Sequence, residues 1–97
     1  LKYSITPYTK AKAKRMGLIV RPSTNKRKKI DVYKNGKLVA SIGAIGYNDY
    51  PTFLIKESQG IYPSGHAAKR RKQYKIRHNS YRSKVGTNSY YADQLIW

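Results

Sequence analysis

The chain has 97 residues, with 21 lysines and arginines against four acids, a net charge of +17 and no cysteine. That length allows one small domain with a modest core. The missing thiols exclude disulfide frameworks, thiolate zinc sites and thiol catalysis, and no apolar run approaches the roughly 18 residues that span a bilayer, so a soluble, non-secreted chain is expected.

Leu1 to Lys29 carries ten lysines and arginines and no acid, Ile30 to Tyr62 sums to zero, and Pro63 to Trp97 carries eight with one acid. Such a layout is self-repelling in a free protein and points to a polyanionic partner, nucleic acid first. It divides the chain into a basic N-terminal arm over residues 1–27 and a small domain over 28–97. Leucine at position 1 is not what removal of an initiator methionine leaves. An incomplete sequence is the first expectation, and a precursor trimmed by a protease the second.

Within the arm, Thr6-Pro7 signals a helix start: threonine caps free N–H groups and proline takes the first helical position, where its missing donor costs nothing. Gly17 supplies the stop. Tyr8 to Met16 is therefore a short predicted helix with a weak apolar stripe of Tyr8, Ala11 and Met16. Lys10, Lys12, Lys14 and Arg15 spread around it, and Lys10, Lys14 and Arg15 are candidate contacts to the anionic partner. Leu18 to Val20 is a brief apolar run closed by Arg21-Pro22. Ser23 to Asn25, followed by Lys26, Arg27, Lys28 and Lys29, reads as a polar loop with a charge cluster, either a solvated linker or a loop that contacts phosphates.

Lys29 to Ile42 carries the clearest signal. Asn35-Gly36 suits the two positive-φ positions of a type I′ turn between two β-rich runs. A two-residue turn sets Lys34 opposite Lys37, Tyr33 opposite Leu38, Val32 opposite Val39 and Asp31 opposite Ala40. One face then shows Ile30, Val32 and Val39, and the other Tyr33, Leu38, Ala40 and Ile42. Both are apolar, so each needs a cover, since a lone hairpin is not stable.

The glycines of Gly43 to Pro51 fit neither the Walker spacing nor a complete dinucleotide fingerprint. A structural turn with Tyr47 and Tyr50 packed on the core is expected. Thr52 to Ile55 fits a third strand or a helix start, and Glu57 to Gly65 a loop. Ser64 can cap a helix to His78 or Tyr81, with Arg70, Tyr74, Arg77 and Tyr81 along one stripe and Ala67, Arg71 and His78 beside it. Ala67, Tyr74 and Tyr81 read as core contacts. Six basic residues from Lys69 to Arg77 have no acid among them, which makes Arg70, Arg71 and Arg77 candidate contacts, joined by Arg82 in the following loop. Ser89 to Trp97 is a closing helix that returns Tyr91 and Leu95 to the hairpin, with Trp97 as a core plug. The expected class is α+β: a small hairpin or short antiparallel sheet packed with two or three short helices.

Asp31, Asp49, Glu57 and Asp93 are scattered, and His66 and His78 have neither a cysteine nor a carboxylate pair nearby in sequence. Paired-carboxylate, two-metal and histidine-base chemistry are therefore unsupported, as is a zinc site, and a protein without enzymatic activity, cofactor or metal is expected. Phosphate binding is better supplied: cations displace counterions, arginine forks onto phosphate, and tyrosines add hydroxyls and ring faces. No zinc finger, helix-turn-helix or ribonucleoprotein aromatic motif is present to read bases, so affinity without strong sequence specificity follows.

Four segments carry a resemblance: KIDVYKNGK from Lys29, SIGAIGYNDY from Ser41, AKRRKQYKIRH from Ala68 and SYYADQLIW from Ser89. Over about Lys26 to Trp97 the chain resembles a family of small basic proteins encoded by tailed phages and large double-stranded DNA viruses. The most specific parts are Gly46-Tyr47 with Asp49-Tyr50, the series Arg70, Arg71, Tyr74, Arg77 and His78, and the terminal Leu95-Ile96-Trp97. The resemblance implies a place in the virion, inside it or on the capsid, and otherwise in the host cytoplasm or nucleus. It carries over no catalytic residue. The expected function is a virion-associated protein that binds nucleic acid, DNA before RNA, through phosphates. The alternatives are a minor or cementing capsid protein whose basic flanks bind acidic surfaces of a shell protein, and a ribosome-associated protein that binds rRNA.

Overall fold

A computed structural model describes residues 3–80 and 82–97. Three helices start on side-chain caps. Thr6, Asp49 and Thr87 accept from the N–H of Thr9, Thr52 and Tyr90 and open α1 (Pro7–Arg15), α2 (Tyr50–Ser58) and α4 (Asn88–Ile96), each cap contributing about 1 kcal/mol. The segment left open between strand and helix, Thr52 to Ile55, is thereby helical. α3 (His66–Arg77) starts differently: Gly65, at φ 88°, occupies the cap position and offers no side chain. Ser64, the expected cap, lies one residue too early, inside a turn closed by the His66 N–H on the Pro63 carbonyl.

β1 (Ile19–Pro22), β2 (Lys28–Lys34) and β3 (Lys37–Ala44) form an antiparallel sheet in that order, and the fold is α+β. Asn35 and Gly36 both take positive φ, 51° and 79°, as a type I′ turn requires. The expected register holds at Lys34↔Lys37 and Tyr33↔Leu38, and then slips. An irregularity beside Val32 leaves Val39 without a counterpart, so Val32 faces Ala40, Asp31 faces Ser41 and Ile30 faces Ile42. One extra residue moves everything beyond it to the other face. Ile30, Val32, Ala40 and Ile42 consequently share one buried side, against which α4 packs on β3. Only one face of the sheet is a buried apolar face, and the opposite face mixes Asp31 and Ser41 with the partly exposed Tyr33 and Leu38.

Asp31 is nevertheless buried. It accepts from Ser23 Oγ at 2.6 Å, Ser41 Oγ at 2.7 Å and the Thr24 N–H at 3.3 Å, tying down the β1–β2 loop. Burial alone would raise its pKa, but these hydrogen bonds outweigh burial and hold the carboxyl below its usual value. Its stabilising contribution is thus present above the unfolded-chain pKa and is lost as pH falls through the lower folded value. Below about pH 4 the melting temperature of the wild type should drop more steeply than that of Asp31→Asn, which should be the less stable protein at pH 7. Parallel pH dependences in thermal melts would remove Asp31 from the acid response.

The residues assigned to an arm pack into this fold. α1 buries Thr9 and Ala13, not the stripe of Tyr8, Ala11 and Met16, because the Thr9 hydroxyl donates to the Leu95 carbonyl of α4 at 2.8 Å. Leu18 is buried, and β1 adds an edge strand to the hairpin. Tyr91 and Leu95 enter the core as expected of the closing helix, Ile96 joins them, and Trp97 stacks on Tyr74 at 4.3 Å and 5° between planes. Ala67 is buried beside them, whereas the expected core contact Tyr81 lies outside the described residues. Tyr50 is half-buried, edge-on to Tyr8 at 5.5 Å. Tyr47, expected on the core, is 76% exposed.

Candidate nucleic-acid interface

Ala67 and Tyr74 run the core contact of α3 down its middle, dividing its polar side chains into two flanks. Three- and four-residue spacing puts Ala68, Arg71, Lys72 and Lys75 on one and His66, Arg70, Gln73 and Arg77 on the other. Consecutive arginines reach the two aromatic rings of α2: Arg70 lies 5.5 Å over Phe53 and Arg71 5.1 Å over Tyr50. Arg71 also donates from Nε to the Trp97 carbonyl at 2.6 Å. The predicted arginine series is therefore split, with Arg71 held in place and Arg77 exposed.

On the Arg71 flank, a cleft of about 470 Å³ is lined by Tyr50, Arg71, Lys72, Lys75 and Arg82. Asp93 of α4 sits buried at its edge, bonded by the Lys75 ammonium and, at 3.5 Å, by Arg82 Nη1 through both carboxylate oxygens. Burial, reinforced by Arg71, pushes the Lys12 ammonium of α1 below its usual pKa against the pull of Asp93. Burial also lowers Lys75, with Asp93 opposing the shift and the charges of Arg71 and Arg82 adding to it. One carboxylate thus serves cations from α1, α3 and the following loop. The Arg82 Nε is buried with no hydrogen-bond partner among the described residues. Surplus positive charge with an unmet donor is the chemistry of an anion site.

The basic loop is a built turn. The Asn25 side chain accepts from the Arg27 N–H at 2.9 Å, and its carbonyl accepts from the Lys28 N–H at 3.0 Å. Lys26 and Arg27 are exposed and Lys28 half-buried. Lys29 is a correction. Only 4% exposed, its ammonium meets Asp49 Oδ2 at 3.1 Å and lies 5.0 Å over the Tyr3 ring. Tyr3 donates to the same oxygen at 2.7 Å, and burial followed by the Asp49 charge pushes its hydroxyl well above its usual pKa. Gly43, at φ 77°, makes room for this lysine, since a Cβ there would stand 2.8 Å from Lys29 Cδ. Lys29 is therefore a buried structural cation whose ammonium is already paired with Asp49.

Of the candidates read from sequence, the cleft brings together Arg71 and Arg82. It leaves Lys26, Arg27 and Lys28 on the loop, Lys10, Lys14 and Arg15 exposed on α1, and Arg70 and Arg77 on the other flank of α3. Lys72, Lys75 and Asp93 also belong to the site. The one- and four-residue steps from Arg71 give away the lysines, whereas no local pattern marks Asp93. Among the described residues no three His, Cys, Asp or Glu side chains are grouped to hold a metal, and no helix is long and apolar enough to cross a membrane. No protein-family model, curated protein or solved structure matches this chain.

Proposed function

We propose that this protein binds nucleic acid, duplex DNA first, through phosphate contacts with little sequence specificity, as a component of a virion. The observation that carries the binding is the cationic cleft beside Asp93, where Arg71, Lys72, Lys75 and Arg82 line one hollow and a single carboxylate pairs with Lys75 and Arg82 alone. A phosphate there would relieve the mutual repulsion and release condensed counterions. Charge and guanidinium forks without a base-edge code give affinity more than sequence choice. The virion setting rests on the resemblance of Lys26 to Trp97 to phage and viral proteins.

Lys72 is exposed on the cleft wall, so Lys72→Gln separates binding from folding. In anisotropy titrations of labelled duplex DNA at several salt concentrations, the variant should lose about one unit of salt slope, with an unchanged melting temperature. A slope equal to that of the wild type would place the phosphate contacts away from this cleft.

The second reading, a capsid-cementing protein, is favoured by the outer sheet face. There Ile19, Tyr33 and Leu38 are Cα partners in one row, with Ile19 57% and Leu38 55% exposed. Retention of the protein on emptied, nuclease-treated shells would favour this reading; release with the genome would favour the first.

A further inference from the structure

The turn between β3 and α2 joins basic and aromatic groups that the cleft does not use. Three hollows follow one another along it and share lining residues. The first, about 520 Å³, is bordered by Lys26 and Lys28 with Tyr3 and Lys29. The second, about 220 Å³, continues past Tyr3 and Ile45 to Tyr47. The third, about 390 Å³, is lined by Tyr47, Asn48, Phe53, Tyr62, His66 and Arg70.

The third hollow has a floor of rings. Tyr62 and His66 are stacked at 4.2 Å and 15°, and Phe53 meets them at 5.7 Å and 5.2 Å. Arg70 covers Phe53 from the α3 side and is otherwise exposed. Tyr47 stands at the rim with most of its ring in water, on a turn that Gly46 enters at φ 94°. A groove with cations at both ends and an unburied ring between them matches a ligand that alternates anion, planar ring and anion. An unpaired nucleotide strand has that chemistry, while a duplex keeps its base faces stacked inside.

We propose that this groove is a track for single-stranded nucleic acid. An unpaired base stacks on Tyr47 over the aromatic floor, while phosphates further along the strand reach Arg70 on one side and Lys26 and Lys28 on the other. The inference rests on the nucleic-acid reading above and deepens it, assigning a second surface and an unpaired strand as its ligand. Duplex contacts remain with the cleft around Asp93.

The test uses the full chain and three labelled probes of equal length: oligothymidylate, an abasic strand with the same phosphates, and duplex DNA. Oligothymidylate should bind roughly tenfold more tightly than the abasic strand, the change expected for one base stack. Tyr47→Ala should abolish that difference and Tyr47→Phe should keep it, both leaving duplex affinity and melting temperature unchanged. Equal binding of base-bearing and abasic strands, or a Tyr47→Ala loss shared by the duplex, would overturn the track and leave the cleft standing. Absence of binding to all three probes would overturn both.

Discussion

Asp49→Ala is expected to destabilise the protein by about 3–5 kcal/mol, the range for stripping one partner from a buried ion pair. Asp49 is 1% exposed and serves three groups: the Thr52 N–H at the start of α2, the Lys29 ammonium and the Tyr3 hydroxyl. Its removal leaves the lysine charge inside the protein, facing a ring and hydrocarbon. The lost helix cap, about 1 kcal/mol by itself, is coupled to the ion pair and does not simply add. Against a total stability of about 5–15 kcal/mol, this corresponds to a fall of roughly 15–30 °C in melting temperature. Adding Lys29→Met, which removes the orphaned charge and keeps the side-chain length that packs on Gly43, should recover a large part of it. Thermal melts of the single and double variants decide: a loss under about 1 kcal/mol for Asp49→Ala would mean that water reaches and solvates the pair.

Asp93→Asn should move stability and binding in opposite directions. The carboxylate holds Lys75 and Arg82 and lies within the influence of Lys12; without it these cations and Arg71 repel one another. Because Lys75 and Arg82 are partly in solvent, the expected loss, about 2–4 kcal/mol at low salt, is smaller than at Asp49. It should shrink as salt screens the cleft. Added duplex DNA should raise the melting temperature of this variant more than that of the wild type, since phosphate takes the place of the missing carboxylate. A folded Asp93→Asn protein that binds DNA more weakly than the wild type would show that Asp93 aligns the binding cations instead of competing with the ligand for them.

The features legible in the sequence are those decided within a few residues. Asn35-Gly36 specifies its turn, Thr6-Pro7 its helix start, and the spacing of Tyr91 and Leu95 the inner face of α4. The register beyond Tyr33 was not legible, because the slip at Val39 follows from which face the helices cover, and only the packed sheet determines that. α1 buries Thr9 because the Leu95 carbonyl waits 86 positions away, so a hydroxyl enters the core where an apolar stripe was expected. Lys29 ends a run of four like charges and differs from its neighbours only in meeting Asp49. The cleft is of the same kind: its lysines and arginines are conspicuous, but the meeting of Lys75 and Arg82 on Asp93 depends on α3 and the loop after it coming against α4.

The salt dependence of duplex DNA binding by the wild-type protein bears most directly on the central claim. Four cleft cations engaging phosphates should make the logarithm of the association constant fall linearly with the logarithm of salt concentration, with a slope of magnitude about 4. Steeper slopes would add the exposed cations of α1. An affinity unchanged between low and high salt, or no detectable binding at low salt, would contradict a phosphate-binding function for this fold.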